Sequence, residues 1–353
     1  MIALLTQCFP PDRGGIETTM GELAMAFWQA GHPVVVLADH IRGGQPEPDW
    51  PFPIRRFAGP RFWRRWRKAR ALAALAPDVV WADSWKSLER LPPGRARVVV
   101  MAHGNELLRR DGARQGRMAR AFARADAVVA NSRFSAGLMA GLHGVVEVVN
   151  PAIREPAPAP LRPEPGHIVS LGRLEARKGF DMVIRALPDL AGARYTIAGT
   201  GPDEGRLRAL AVECGVAASV DFAGAVDEAT KSALLGRAWV FAMPVRREAR
   251  SVEGFGLVYV EAAWFGVPSL AGLAGGAADA VVQGETGLLV DGSDADAVRD
   301  GLARLLADTP LRERTGHAAR QRARAAFSWE AVLPRYLRLL ERSSAHSDSS
   351  ISS

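Results

Sequence analysis

Apolar positions along the chain form two alternating series, in which short β-branched runs are followed by longer amphipathic stretches. In the first series residues 2–6 read as an apolar strand. Pro10, Pro11, Asp12, Arg13, Gly14 and Gly15 then form a loop into a helix over about residues 16–30, which Gly31 closes. Residues 33–38, 78–82, 97–102, 126–130 and 145–149 read as further strands. The second series has strands at 167–171, 195–198, 220–222 and 239–243, with helices opening near Phe180, Glu204 and Asp227. Strands that alternate with helices predict parallel sheets covered on both faces, whose ligands bind at the carboxyl ends of the strands. Between the series, residues 154–166 hold five prolines among alanines and charges and predict a stiff linker. The pattern predicts an α/β protein with domains at 1–153 and 167–328. Helices over 311–327 and 329–342 follow, the second returning across the first domain, and a serine-rich tail at 343–353 reads as disordered.

Within this frame one stretch combines features that are hard to reconcile as plain structure. Glu253, Gly254, Phe255, Gly256 and Leu257 lead into an apolar helix that carries Glu261 and stops at Gly266 and Pro268. A helix start favours an anion, so two carboxylates beside it are misplaced unless they bind hydroxyls. A ligand with phosphate in the middle and hydroxyl-rich groups on both sides fits, and a nucleotide-sugar is such a ligand. The other reading is a buried helix with two solvated acids. After the strand at 167–171 comes Gly172-Arg173-Leu174-Glu175-Ala176-Arg177-Lys178-Gly179, a loop in which the heads of Arg173 and Lys178 can converge on a diphosphate. A basic surface loop is the alternative there. Gly199-Thr200-Gly201-Pro202 follows the next strand, where glycines would let a nucleoside lie against the backbone. At strand ends of the first series stand Gly14-Gly15, His103-Gly104-Asn105-Glu106 and Asn131-Ser132.

Composition narrows the partners. The 353 residues carry a net charge of +7, which raises the question of an anionic partner. Of the 45 basic residues only Lys68, Lys86, Lys178 and Lys231 are lysines, so the arginine bias looks genome-wide and each retained lysine is the more informative. No base-reading helix, zinc spacing or aromatic-strand motif accompanies the charge, and no nucleic-acid partner is expected. Cys8 and Cys214 lie in different halves and suggest neither a disulfide nor a metal site. No apolar run approaches the roughly 18 residues of a membrane span. The first residues lack a basic lead, so the chain is expected in the cytoplasm.

The ordered motifs resemble the retaining glycosyltransferases of family 4, which have two Rossmann-like domains in the GT-B fold. The resemblance rests on Gly172-Arg173-Leu174 with Lys178-Gly179, on Gly199-Thr200-Gly201-Pro202, on Phe222-Ala223-Gly224 and on the spacing of Glu253 and Glu261. Gly275-Gly276 and residues 286–290 continue it, and Gly14-Gly15-Ile16-Glu17, His103-Gly104 and Asn131-Ser132 match in the first half. The resemblance implies that Arg173 and Lys178 hold the donor diphosphate, with backbone N–H groups of Gly14, Gly15 and the Gly254, Phe255, Gly256 and Leu257 turn. It implies that Glu253 binds the donor sugar and Glu261 the ribose, that Gly199 and Gly201 lie along the nucleoside, and that Gly224, Ala225 and Val226 face the base. His103 would stand over the sugar, and Glu17, Asn105, Asn131 and Ser132 are acceptor-side candidates. The catalytic set is then His103, Arg173, Lys178 and Glu253. No cofactor or metal is implied; Asp294-Ala295-Asp296 has the spelling of a metal-binding pair but opens a helix, where acids serve as caps.

The expected partners are a UDP- or GDP-sugar donor, with GDP-mannose or a UDP-hexose equally open, and a lipid-linked or cell-envelope glycan acceptor. Residues 61–70 read as a basic helix with Phe62, Trp66 and, further on, Ala69 and Ala73 on one stripe, suited to an anionic membrane surface. Arginines at 109, 110, 114, 117, 120 and 124 would widen that patch, which would make the protein peripheral on the inner face of the cell membrane. The alternative packs the aromatic stripe onto the sheet. A nucleotide-sugar epimerase of the same architecture and a non-catalytic two-lobed binding module also stay open.

Overall fold

The structure, a computed structural model, describes residues 1–12, 14–41, 46–108, 111–249 and 251–341. Arg109, Arg110, Arg342 and the serine-rich tail lie outside the described residues.

Seven strands form the first sheet: β1 (Ile2–Leu5), β2 (Val34–Asp39), β3 (Ile54–Phe57), β4 (Val79–Ala82), β5 (Arg97–Ala102), β6 (Ala127–Ala130) and β7 (Val146–Val148). Six form the second: β8 (His167–Leu171), β9 (Arg194–Ala198), β10 (Val220–Gly224), β11 (Val240–Met243), β12 (Ser269–Gly272) and β13 (Gly287–Val290). All pairings are parallel, in the orders β3-β2-β1-β4-β5-β6-β7 and β10-β9-β8-β11-β12-β13. Both are doubly wound sheets, with the switch between β1 and β4 in one and between β8 and β11 in the other. The strand β3 escaped the sequence pattern because it is an edge strand with two arginines, Arg55 and Arg56, in four residues.

The helices of the first domain are α1 (Gly15–Gln29), α2 (Arg61–Leu75), α3 (Trp85–Leu88), α4 (Gly112–Phe122) and α5 (Arg133–Gly137). Those of the second are α6 (Phe180–Ala186), α7 (Glu204–Glu213), α8 (Glu228–Arg237), α9 (Leu257–Trp264), α10 (Ala277–Ala280), α11 (Ala295–Ala307) and α12 (Thr309–Phe327). A final helix, α13 (Trp329–Arg338), sends Val332, Tyr336 and Leu339 into the core of the first domain, where Tyr336 meets Trp81 edge-on at 5.6 Å. Trp329 Nε1 donates to Glu22 at 3.0 Å on α1, and Arg335 donates to the Val148 carbonyl.

The proline-rich stretch at 154–166 is strapped down. The N–H groups of Arg162 and Glu164 donate to the carbonyls of Gly236 and Arg237, each at 2.9 Å, at the end of α8. Proline has no backbone N–H to donate, so non-proline positions carry the attachment.

Helix α2 corrects the alternative of an aromatic stripe packed on the sheet. It buries Lys68 and Leu72, while Phe62, Trp63 and Trp66 stand 54%, 52% and 43% exposed. The cause is electrostatic. Asp39, at the end of β2, takes Lys68 at 2.5 Å and Arg64 at 3.3 Å, and Glu89 takes Arg65 at 2.5 Å. These pairs turn the charged face inward and leave the aromatic face outward.

Candidate active site

The two domains meet at the carboxyl ends of β5 and β6 on one side and the loop after β11 on the other. Asn105 Oδ1 accepts the N–H of Val252 at 2.7 Å. The backbone and side chain of Arg133 donate to the two carboxylate oxygens of Asp279, both at 2.5 Å. Gly254 lies so close to the His103 carbonyl that a Cβ there would collide with it, and Asn131 Nδ2 stands 3.1 Å from the position of that Cβ. A glycine is required at 254 because the opposite domain fills the space of a side chain.

Glu253 is fixed one residue before this contact. The loop 172–179 brings two cations to its Oε2: Lys178 Nζ at 2.5 Å and Arg177 Nη1 at 2.7 Å. The Glu253 side chain is 15% exposed. Burial alone would raise its pKa, but the charges and hydrogen bonds of Lys178 and Arg177 outweigh burial and hold it below the ordinary value. It is therefore an ionised acceptor, and neither of these two hydrogen bonds uses Oε1. Behind it, Gly256 adopts φ +94° and opens α9, Tyr259 donates to the Met243 carbonyl at 2.5 Å, and Phe255 packs on Phe327 at 5.6 Å. Leu257 begins the helix.

The loop departs from the expected pairing of Arg173 with Lys178. Arg173 is 70% exposed and pairs with Glu175 at 3.3 Å, while Arg177, bound to the other oxygen of Glu175 at 3.0 Å, joins Lys178 on Glu253. Glu175 thus separates the two arginines. The role of Arg177 was hidden because it is one more arginine in an arginine-rich chain. A Cβ at Gly199 would collide with the carbonyl of Gly172 and one at Gly201 with that of Leu174, so these glycines seat the cationic loop. Gly224, Ala225 and Val226 follow at the end of β10, and the Gly224 carbonyl accepts the N–H of Gly199 at 2.7 Å.

One turn into α9, Glu261 Oε1 accepts from Lys231 Nζ at 2.7 Å, and Lys231 also pairs with Glu228 at 2.7 Å. Burial acts to lower the Lys231 pKa, but Glu261 and Glu228 overcome it and raise it. Like Arg177, Lys231 was missed; the scarcity of lysine was the available signal.

On the facing wall, the His103 N–H donates to Glu106 at 2.7 Å, and its ring Nε2 lies 3.0 Å from the Asp83 carbonyl. A carbonyl only accepts, so this contact places the proton on Nε2 and leaves Nδ1 as the acceptor in the neutral ring. Asp83 is itself held by Thr6 Oγ1 at 2.9 Å, Gln7 N at 2.8 Å and Ser87 Oγ at 2.6 Å. Asn131 and Ser132 belong to a network with Ser135, whose hydroxyl donates to Asn131 Oδ1 at 2.7 Å, while Ser132 caps α5. Together with Asn105 they line the domain seam. Gly14 and Gly15 stand at the start of α1, and the Glu17 carboxylate folds back over Gly14. Asp294 caps α11 by accepting from Asp296 N at 2.9 Å and Ala297 N at 3.1 Å.

Comparison with known proteins gives this geometry its context. Residues 13–155 match the family described as Glycosyltransferase Family 4, and residues 153–322 that described as Glycosyl transferases group 1. A GDP-mannose-dependent alpha-(1-6)-phosphatidylinositol monomannoside mannosyltransferase of Mycobacterium tuberculosis is 32% identical over 378 residues, covering 94% of this chain and 95% of the relative. The enzyme of that name from Mycolicibacterium smegmatis is 32% identical over 394 residues, covering 96% and 97%. Among solved structures, a sucrose-phosphate synthase from Thermosynechococcus elongatus superposes with a TM-score of 0.80 at 21% identity, covering 96% of this chain and 97% of the other. Anabaena HepE, solved with UDP and glucose, superposes at 0.75 with 18% identity over 96% and 99%. The last two show the fold, and the relatives extend the match to nearly the whole sequence. The chain belongs to family 4 (group 1) of the glycosyltransferases, as a hexosyltransferase of the GT-B fold that uses a nucleotide-sugar donor.

Proposed function

We propose that the chain transfers mannose from GDP-mannose, with retention of the anomeric configuration, to a lipid-linked acceptor at an anionic membrane surface. The observation that carries the reading is the half-buried, ionised Glu253, held by Lys178 and Arg177 directly beside the point where the second domain touches His103. The relatives that span nearly the whole chain are named for GDP-mannose and a phosphatidylinositol mannoside, which favours that donor and an acceptor of this class.

The chemistry follows from where charge develops. Breaking the sugar–phosphate bond leaves negative charge on the departing diphosphate. Lys178, Arg177 and the N–H groups that open α9 and α1 are preorganised cations and dipoles for that charge. Exposed Arg173 is free to swing from Glu175 onto the same group. As the diphosphate claims the cations, Glu253 is released to accept sugar hydroxyls, and Glu261 lies one helical turn beyond Leu257 for the ribose. No side chain at the site is assigned as a base; the departing phosphate accepts the acceptor proton on the face it leaves. His103, with Nδ1 as acceptor, stands over the sugar. Exposed Phe62, Trp63 and Trp66, with Arg70 over Trp66 at 5.6 Å, suit the interface of an anionic bilayer.

The test is incubation with GDP-mannose or UDP-glucose and phosphatidylinositol-containing vesicles, followed by NMR of the product. An α-linked mannolipid formed from GDP-mannose is expected. A β-linked product, or an epimerised nucleotide-sugar released without any acceptor, would overturn the reading.

A further inference from the structure

The inward charged face of α2 does more than pack. Arg61, Arg64, Arg65 and Lys68 line a narrow pocket together with Lys86 and Arg90. Two carboxylates pair directly with four of these six cations: Asp39 takes Lys68 and Arg64, and Glu89 takes Arg65 and lies 3.9 Å from Arg61, while Asp83 acts through space on Lys68 and Lys86, and Glu106 on Lys86. Arg90 stacks over Phe62 at 4.4 Å. Lys86 is half-buried and has no ion pair among the described residues; burial, with Arg114 next in effect, lowers its pKa. Among the described residues, Arg64 Nε and Arg65 Nη2 at the pocket, and Arg114 Nε beside Trp85, are buried with no hydrogen-bond acceptor. Buried donors are rarely left so, and an excess of forked cations with vacant N–H groups is complementary to an anion with several oxygens.

The four lysines sharpen this. Lys68, Lys178 and Lys231 each neutralise a carboxylate beside the cleft, and Lys86 alone among them lacks one. The pocket also touches the reaction face. Ser87 and Gln7 line it, both donate to the Asp83 carboxylate, and the carbonyl of the same Asp83 meets the His103 ring. Asp83 thus links the pocket wall to the His103 ring.

We propose that this pocket binds the phosphate of a phosphate-bearing acceptor, with the aromatic outer face of α2 set toward apolar surroundings. The proposal rests on the transferase reading and adds the acceptor's anionic group and the side chains that recognise it. Calorimetry of the full chain with glycerol 3-phosphate against glycerol, and flotation with phosphatidylcholine vesicles with and without phosphatidylinositol, test it on wild type, Lys86→Gln and Lys86→Arg. Removing one charge-assisted contact should weaken binding about tenfold or more, and Lys86→Arg should keep it. Weakening with glycerol 3-phosphate identifies a free phosphomonoester as sufficient. Weakening with the phosphatidylinositol vesicles alone identifies the lipid diester, and either supports the pocket. Wild-type affinity for both probes in a Lys86→Gln protein with unchanged Tm, or no binding of either probe by wild type, overturns it. Nucleotide-sugar consumption by the wild-type chain is followed in parallel; its absence would count against the transferase reading and leave the phosphate result standing.

Discussion

Helices α9 and α2 belong to different domains and are built in opposite ways. The first is apolar nearly all round, packs into the core of its own domain, and carries the groups proposed for the donor at its start and at Glu261. The second buries Lys68, half-buries Arg64 and Arg65, and shows tryptophan to solvent. In α9 the protein core fixes the helix, so the site is rigid and its chemistry lies in the backbone and two acids. In α2 ion pairs to Asp39 and Glu89 fix the helix, so its orientation depends on charges that a ligand or a membrane can also engage. A donor common to many transferases suits the first design, and an acceptor particular to one enzyme suits the second.

The comparison breaks most readily at Glu253. Glu253→Ala leaves Lys178 and Arg177 facing each other without their shared carboxylate, which should cost about 3–5 kcal/mol of stability, read as a fall in Tm. Transfer should fall by about a hundredfold or more in the protein that remains folded. Gly254→Ala tests the seam: the new methyl meets the His103 carbonyl, and the displaced wall should lower kcat/KM by about ten- to a hundredfold. The α2 side should behave in the opposite sense. Trp63→Ala with Trp66→Ala should abolish co-flotation with phosphatidylinositol vesicles at low salt and leave stability within about 0.5 kcal/mol of wild type, because both rings are exposed. Unchanged flotation would remove the membrane role from this helix.

A smaller effect concerns pH. The folded pKa of Glu253 lies below its ordinary 4.5, so its ion pairs add stability that is fully present above about pH 4.5 and disappears as pH falls through the depressed folded value. The Tm gap between wild type and Glu253→Gln should therefore be constant at neutral pH and close in acid. A gap that opens in acid would contradict the ionised state assigned here.

Legibility in the sequence followed the same divide. The two alternating series and the Glu253-Gly254-Phe255-Gly256 turn were readable because a parallel sheet writes long apolar runs and a helix start writes glycines. Strands β12 and β13 did not register as strands because Ser269, Gly272 and Gly287 dilute short runs. The pairing within the 172–179 loop was unreadable for another reason. Which of Arg173 and Arg177 faces Glu253 depends on where Glu175 points, and spacing alone does not specify that. For α2 the helix was evident and its facing was not: hydrophobicity predicts that Phe62 and Trp66 turn inward, and two acids from distant elements, buried Asp39 and half-buried Glu89, reverse it. Long-range charge pairing leaves no local periodicity.

The central claim is that Glu253, Lys178 and Arg177 form the donor-side centre of a sugar-transferring cleft. The most direct measurement is kcat/KM for mannose transfer from GDP-mannose in wild type and in Lys178→Ala with a wild-type fold confirmed by circular dichroism. The account predicts a loss of about a hundredfold or more, and a folded Lys178→Ala protein that transfers at the wild-type rate would contradict it.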